Sequence, residues 1–225
     1  MHIPDGFINA PVSAAGAVVA VGGLAVAVRK ASADLDEKAV PLAGLTSAYV
    51  FAMQMLNFPV ATGTSGHLIG GCLAAVLVGP WLACIVMAVV LGVQALVFAD
   101  GGLSALGLNI IVMGFVPALA GAAIVRGLES VLPRRPSSVV TASAIAAWAT
   151  VVIASIVFTG YFALGGEADL PIGDVAVAMI GVHSVIGIGE AAITALTVSA
   201  VLASRPDLVW AARGIPTKVV AHGLV

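Results

Sequence analysis

Charged residues are scarce in this sequence. Only 9% of the 225 residues are Asp, Glu, Lys or Arg, whereas 61% are hydrophobic and the mean hydropathy is +1.17. A water-soluble domain carries about 25% charged residues. The chain therefore has too little polar surface to cover a globule in water, which predicts an all-α, multi-pass membrane protein in the lipid bilayer. The net charge of −2 also gives no basis for a nucleic-acid partner.

Aromatic residues and cysteines are few as well. Aromatics make up 5% of the chain, which has 26 glycines and only two cysteines. Small residues allow helices to pack closely inside a bilayer, so we expect one transmembrane domain and no separate soluble module. Cys72 and Cys84 both lie in apolar stretches, without the spacing of a metal motif or a disulfide framework, and are expected to pack in the core.

Three further motifs are missing. No basic residue precedes Arg29, whereas a secretory signal begins with a cationic region, so we expect Met1 to be retained with a free amine. No G-x-x-x-x-G-K-[ST] loop is present, which excludes ATP hydrolysis by this chain. The absence of H-E-x-x-H disfavours an intramembrane metal hydrolase, and we expect no enzyme activity.

Apolar stretches divide the chain into seven predicted helices. A spanning helix needs about 20 apolar residues, and the stretches lie at about 11–29, 39–57, 67–78, 81–98, 104–127, 138–164 and 174–203. The third is too short to cross alone, so we expect loop 58–66 to dip inward, with His67 starting that short helix. Pro117 is expected to interrupt the fifth helix. We expect a single domain, 1–204, and a cytoplasmic tail, 205–225.

The distribution of cations predicts the orientation. All nine Lys and Arg residues lie at the end of the first, fifth or seventh predicted span or in the segment that follows it. Seven spans place those three segments on one side, which the positive-inside rule assigns to the cytoplasm. The amino terminus and loop 58–66 then lie outside, and the carboxyl terminus lies in the cytoplasm. Six spans would place cations on both sides.

The first two residues can chelate a metal ion. Met1-His2 offers the terminal amine, the His2 amide nitrogen and an imidazole nitrogen, which the flat amide holds near one plane. Four nitrogens in a square favour Ni²⁺ or Cu²⁺ and accept Co²⁺. His67 is the candidate fourth donor, because it alone among the four histidines follows a predicted outer-face break. An accidental histidine near an exposed terminus and a helix-capping His67 are the alternatives.

Several polar residues are candidates for orienting these ligands. Gln94 and Asn109 lie in "QALVFADGGLSALGLN", and polar side chains within spans normally face the protein interior. They are expected either to support His2 or His67 or to hydrogen-bond between helices. Asp100, beside two glycines, fits an interfacial turn better. Thr64 and Ser65 are expected to hold the loop, although turn chemistry alone also explains them.

One face of the seventh predicted helix is polar. His183 and Glu190 lie on it, with Gly187, Thr194 and Thr197, at helical spacing. Glu190 is an acid within a predicted span and therefore a functional candidate. We consider a proton pathway in a proton-coupled secondary metal carrier, a supporting role near the metal, and a buried Glu–His pair, and we favour the pair.

Five segments together resemble a known family. They are "MHIPDGF", "GTSGHLIGG", "LVGPW", "QALVFADGGLSALGLN" and "IGIGEAAITAL", in order from residue 1 to about 203. The chain resembles the CbiM/NikM family, the membrane substrate-binding (S) subunits of cobalt and nickel energy-coupling-factor transporters.

The resemblance implies a seven-helix subunit whose amino terminus is tucked into the protein and whose metal ligands are Met1, His2 and His67. It implies high-affinity capture of Ni²⁺ or Co²⁺ for an ATP-driven importer in the cell membrane. Implied partners are a coupling transmembrane (T) subunit and two ATP-binding subunits, with room for a small accessory membrane subunit. Pro4-Asp5 stands where cobalt members often have Met-Glu, which slightly favours nickel.

Overall fold

The computed structural model describes residues 1–34, 37–55, 58–60 and 64–215. Within these ranges the chain forms seven helices and two short strands. The helices are α1 (Ala10–Asp34), α2 (Ala39–Gln54), α3 (Gly71–Val78), α4 (Pro80–Val97), α5 (Leu106–Val131), α6 (Pro136–Gly165) and α7 (Ile172–Ser204). The strands are β1 (Phe58–Val60) and β2 (Thr64–Gly66).

Five of the described helices, α1, α4, α5, α6 and α7, are long and apolar enough to cross a membrane. The chain is therefore a multi-pass membrane protein, and the predicted helices coincide with the observed ones to within a few residues at most ends. Helix α2 has 16 residues and α3 only 8, so neither reaches the length expected of a full crossing.

Helix α5 accommodates Pro117 without a break. A proline inside a helix has no N–H to donate and crowds the carbonyl four residues earlier, which here belongs to Met113. The backbone widens into a π-helical segment at Ile110–Phe115, which ends two residues before the proline, and then continues as α-helix to Val131. The predicted interruption is thus a local widening of one continuous helix.

The segment before α3 differs from the prediction. His67 does not start the short helix, because helical structure begins only at Gly71. Gly70 has a φ of +78°, and a side chain there would lie 2.8 Å from Val50. This left-handed residue ends the extended segment that carries His67 and turns the chain into α3. The polar stretch before it forms an antiparallel pair in which Phe58 lies opposite Gly66.

The amino-terminal segment folds back along the bundle and is anchored at the α6–α7 connection. The Asn9 amide donates to the Gly165 carbonyl at 2.7 Å, and the Glu167 amide donates to the Phe7 carbonyl at 3.0 Å. The Phe7 ring packs against Phe162, with ring centroids 5.2 Å apart. These contacts fix the direction in which residues 1–6 enter the protein.

Residues after α7 continue to pack on the bundle. Short 3₁₀ turns at Pro206–Leu208 and Trp210–Ala212 follow Ser204, and Val209 is buried in a hydrophobic cluster that includes residues of α3 and α6. The Arg126 guanidinium lies 4.6 Å from the centre of the Trp210 ring. The first part of the predicted tail is therefore attached to the helical domain, and its remainder, 216–225, lies outside the described residues.

Candidate metal centre

The first three residues are buried in the bundle. Met1 and Ile3 have no exposed surface, and His2 is 6% exposed. The Ile3 amide donates to Asn109 Oδ1 at 2.8 Å, and Asn109 Nδ2 donates back to the Ile3 carbonyl at 3.1 Å. The Gly102 amide donates to the same carbonyl at 2.9 Å. The Asn109 side chain therefore binds both the amide and the carbonyl of Ile3, as the backbone of a neighbouring β-strand would, and it fixes the residue that follows His2.

His2 and His67 meet in the interior. His2 Nδ1 lies 3.0 Å from His67 Nε2, and the two ring centroids are 4.6 Å apart. His67 has no exposed surface. Residues 65 positions apart in the chain thus bring two imidazole nitrogens to one point.

The hydrogen bonds of each ring determine which nitrogen carries the proton. His67 Nδ1 lies 2.7 Å from the Leu68 carbonyl, and His2 Nε2 lies 3.1 Å from Gln94 Oε1. A carbonyl or side-chain amide oxygen can only accept a hydrogen bond, so His67 Nδ1 and His2 Nε2 must each donate one. In neutral rings the opposite nitrogens, His2 Nδ1 and His67 Nε2, then both carry lone pairs. Two lone pairs that face each other at 3.0 Å repel, and a cation bonded to both nitrogens would relieve that repulsion.

A carboxylate also faces this point. Asp100 Oδ1 lies 3.2 Å from His2 Nδ1, and the Asp100 side chain is 22% exposed. The sequence pattern ranked Asp100 below Gln94 and Asn109 because it stands beside two glycines. Those glycines are what allows the approach. Gly101 has a φ of +92°, and a Cβ there would lie 2.9 Å from the His2 ring.

Burial keeps the nitrogens of this centre unprotonated. It lowers the pKa of the Met1 amine from 8.0 to about 5, against an opposing attraction from Asp100. Burial, followed by the nearby terminal amine, lowers the pKa of His2 from 6.5 to about 4. The same two causes, in the same order, hold the pKa of His67 well below 6.5. All three groups are therefore neutral donors at pH 7.

Glu190 supports the loop that carries His67. Its two carboxylate oxygens accept hydrogen bonds from the amides of Ile69, at 2.6 Å, and Gly70, at 2.7 Å. The favoured Glu190–His183 pair is therefore wrong, because both oxygens bind the loop backbone instead. His183 Nδ1 donates to the Met179 carbonyl one turn earlier at 2.7 Å, and its Nε2 has no hydrogen-bond partner among the described residues.

Of the remaining polar residues singled out in the sequence, those of α7 have described side chains, whereas Thr64 and Ser65 do not. The polar face of α7 is confirmed as buried at His183, Gly187, Glu190 and Thr194. Thr64 and Ser65 lie in β2, but their side chains lie outside what the structure describes. In the described ranges, no three His, Cys, Asp or Glu side chains have the arrangement of a metal-binding cluster, and His2, His67 and Asp100 do not form one by themselves. A complete ligand set here would need backbone or terminal nitrogens as well.

The family described as "Cobalt uptake substrate-specific transmembrane region" (CbiM) matches residues 2–208. The chain belongs to the CbiM family. A putative metal transport protein of Haloquadratum walsbyi is 38% identical over 93% of this chain and 94% of its own length. A putative fused nickel transport protein, NikMN, of Archaeoglobus fulgidus is 36% identical over 93% of this chain and 68% of its own length.

Two solved structures of transition metal transporters share the fold. The crystal structure of a truncated transition metal transporter superposes with a TM-score of 0.81 at 34% identity, covering 90% of this chain and 98% of its own. A cobalt transport protein, CbiM, of Geobacter sulfurreducens is 33% identical over 92% of this chain and 61% of its own length. The family to which this chain belongs thus includes proteins named as cobalt and as nickel transport proteins.

Sequence reasoning missed one buried residue of the centre. Gln54, at the end of α2, has no exposed surface, and its Oε1 accepts a hydrogen bond from Gln94 Nε2 at 2.9 Å. Its polar character within an apolar helix was a usable signal, since such residues normally face the protein interior.

Proposed function

We propose that this protein is the high-affinity substrate-capture subunit of an energy-coupling-factor importer for Ni²⁺ or Co²⁺. The observation that supports it most is the 3.0 Å separation of His2 Nδ1 and His67 Nε2 in a buried site, where the other nitrogen of each ring faces an oxygen acceptor. A transition-metal ion is the ligand that such a nitrogen pair suits. The transported ion is the substrate of this site, and no chemical conversion of it is required.

We assign four nitrogen donors to the ion. They are the Met1 amine, the deprotonated His2 amide, His2 Nδ1 and His67 Nε2. The first three close two adjacent chelate rings around the ion, and His67 takes the remaining position in the plane, next to His2 Nδ1. Neighbouring corners of a square with metal–nitrogen bonds of about 2.0 Å lie about 2.8 Å apart. The two imidazole nitrogens, at 3.0 Å, are close to that spacing before any ion binds.

The electrostatics of the site support the same assignment. Lowered pKa values keep the amine and both rings unprotonated at neutral pH, so only the His2 amide has a proton to lose when the ion enters. The Asp100 carboxylate, 3.2 Å from His2 Nδ1, offsets part of the positive charge of the ion. Ni²⁺ is slightly favoured over Co²⁺ as the substrate, because four nitrogens in a plane match the geometry that Ni²⁺ prefers.

We propose that transport energy comes from partner subunits. The chain contains no phosphate-binding loop of the Walker type, so ATP would be hydrolysed by two separate ATP-binding subunits and coupled through a transmembrane T subunit. Small exposed residues of α1, such as Ala14, Ala15 and Gly22, offer a surface for close helix packing. We further propose that the amino terminus and loop 58–66 face outward, with the carboxyl terminus in the cytoplasm.

A change at the terminus tests the capture site. Purified protein with a free Met1 amine, verified by mass spectrometry, is titrated with Ni²⁺ and with Co²⁺. We expect one Ni²⁺ per chain and a yellow, diamagnetic complex. Three residues without histidine added before Met1 should abolish binding, because the Met1 amine becomes an amide and the new terminal amine lies too far from His2 to close the same chelate rings. A single added residue is avoided, since it would make His2 the third residue and create a different four-nitrogen chelate. The same three residues added after Val225 are the matched control and should leave binding unchanged. Normal Ni²⁺ binding by the protein extended before Met1 would refute the site.

A transport assay tests the energy source. The purified chain alone in liposomes, under a pH gradient and without ATP, is expected to take up no Ni²⁺. Uptake under those conditions would contradict the dependence on ATP-binding partners and would favour a proton-coupled carrier instead.

A further inference from the structure

We infer that Gln54 is a positioning residue that fixes the tautomer of His2 by setting the direction of a buried hydrogen-bond chain. The inference rests on the proposed metal site, because it explains why His2 Nδ1 is available as a donor. Gln54 contacts neither His2 nor His67 through a hydrogen bond. It acts through Gln94.

The hydrogen-bond chain runs through three buried side chains to a backbone carbonyl. His2 Nε2 lies 3.1 Å from Gln94 Oε1, Gln94 Nε2 lies 2.9 Å from Gln54 Oε1, and Gln54 Nε2 lies 2.6 Å from the Ile69 carbonyl. Both glutamines are fully buried. Helices α2 and α4 each contribute one of them, so the chain depends on the packing of these two helices.

The direction of the chain is determined at the Ile69 end. A carbonyl oxygen has no proton, so the Gln54 amide must present its NH₂ group to Ile69 and its oxygen to Gln94. Gln94 must then donate its NH₂ to Gln54 and turn its oxygen to His2. Only a ring with a proton on Nε2 can satisfy that oxygen. In a neutral imidazole this leaves Nδ1 with its lone pair, toward His67. Asp100 Oδ1, 3.2 Å from the same Nδ1, is an acceptor that favours a proton there, so the two glutamines oppose Asp100 in setting the tautomer.

The reverse arrangement would block the metal site. If Gln94 turned its NH₂ toward His2, Nε2 would become the acceptor and Nδ1 would carry the proton. That proton would occupy the position proposed for the ion and would have to leave before binding. Gln54 prevents this flip, because a flipped Gln94 would place its oxygen against Gln54 Oε1, and a flipped Gln54 would place its own oxygen against the Ile69 carbonyl.

The same hydrogen-bond chain also connects the segment that carries His2 with the segment that carries His67. Ile69 lies two residues after His67, and its amide donates to Glu190 at 2.6 Å while its carbonyl accepts from Gln54 at 2.6 Å. Gln54 therefore links the ring of His2 with the loop of His67. Mutation of a residue that orients a metal ligand typically lowers metal affinity by about 10–100-fold.

The test substitutes Gln54→Met, which keeps the length of the side chain and removes both polar groups. The tautomer of His2 is read without metal from the ¹⁵N chemical shifts of its imidazole at pH 7. We expect the Nε2–H form in the wild type and a measurable population of the Nδ1–H form in Q54M. Gln54→Ser, whose side chain is too short to reach both Gln94 and Ile69, should shift the tautomer in the same direction if Q54M does not fold.

Thr46→Val on the same helix is the matched control. Thr46 is buried and its hydroxyl has no hydrogen-bond partner among the described residues, so the tautomer should remain as in the wild type. An unchanged tautomer in Q54M or Q54S would overturn the inference, whether or not the protein binds metal. Ni²⁺ affinity is measured separately and should fall about 10–100-fold in the Gln54 variants. A wild-type protein that binds no Ni²⁺ would refute the proposed function but leave the tautomer result to be decided on its own.

Discussion

Replacing Glu190 with glutamine tests how the His67 loop is held. The two Glu190 oxygens accept hydrogen bonds from successive amides, Ile69 at 2.6 Å and Gly70 at 2.7 Å. Glutamine has nearly the same shape but only one oxygen. In Glu190→Gln, one of the two amides must therefore face an NH₂ group, where two donors meet and neither is satisfied.

The expected loss follows from the number and type of these bonds. A hydrogen bond to a charged group contributes about 1.5–3 kcal/mol, and the substitution removes one such bond and the charge assistance of the other. Without these hydrogen bonds the His67 loop is less well held when no ion is bound. Ni²⁺ must then restore the position of the loop on binding, and the free energy that this requires is subtracted from the binding free energy. A cost of about 1.4–2.7 kcal/mol corresponds to a 10–100-fold lower Ni²⁺ affinity.

The assay is a competition titration with Ni²⁺, together with thermal unfolding in detergent with and without the ion. We expect Glu190→Gln to lower both the affinity and the increase in Tm that Ni²⁺ produces. Glu167→Gln is the matched control, because Glu167 lies exposed in the α6–α7 connection, and it should behave as the wild type. An E190Q protein whose affinity stays within about twofold of the wild type would show that the carboxylate does not position His67.

Two further predictions concern the protons and the backbone of the site. Because burial lowers the pKa of the Met1 amine to about 5 and that of His2 to about 4, protons compete for these donors only in acid. Binding near pH 7 should therefore release about one proton per Ni²⁺, from the amide, in a pH-stat titration; an exposed terminus, with an amine pKa of about 8, would release about two. Gly101→Ala should weaken Ni²⁺ binding and lower Tm, since a side chain at φ +92° is strained and would lie 2.9 Å from the His2 ring. Gly92→Ala in α4, with open space around the added methyl, should be neutral or slightly stabilising, and equal effects of the two substitutions would contradict this account of Gly101.

The sequence predicted the helices well because hydropathy reflects a constraint that acts along the chain. Lipid requires long apolar helices, and each predicted segment coincides with an observed helix. The start of α3 was missed because residues 67–70 continue the apolar character of the helix. Their extended backbone is held by Glu190, 120 or more residues later, and this contact leaves no local signal.

The central histidines were predictable because their chemistry is local. The adjacent donor atoms of Met1-His2 made it a candidate chelate, and His67 was the histidine at a polar break. Asp100 and Gln54 were ranked low or missed, because their roles depend on contacts across the bundle. Asp100 reaches His2 across 98 positions of sequence, through a backbone turn that its neighbouring glycines permit. The Glu190–His183 pair failed for a similar reason, since helical spacing shows a shared face but not the partner.

The two halves of the centre are attached to different parts of the bundle. His2 is held through Ile3 by Asn109 of α5 and through its own ring by Gln94 of α4. The His67 loop is held at Ile69, by Gln54 of α2 and Glu190 of α7. The 3.0 Å separation of the imidazoles is therefore set by the relative positions of four helices.

A change in that helix packing moves one imidazole with respect to the other. Metal–nitrogen bonds are short and directional, so a separation increased by about 1 Å would leave an ion with three donors of the four. An ion held by a terminus and a loop can then be released without unfolding either segment. In the proposed importer, a partner that shifts α2 or α7 against α4 and α5 would thus couple its own ATP hydrolysis to release of the ion.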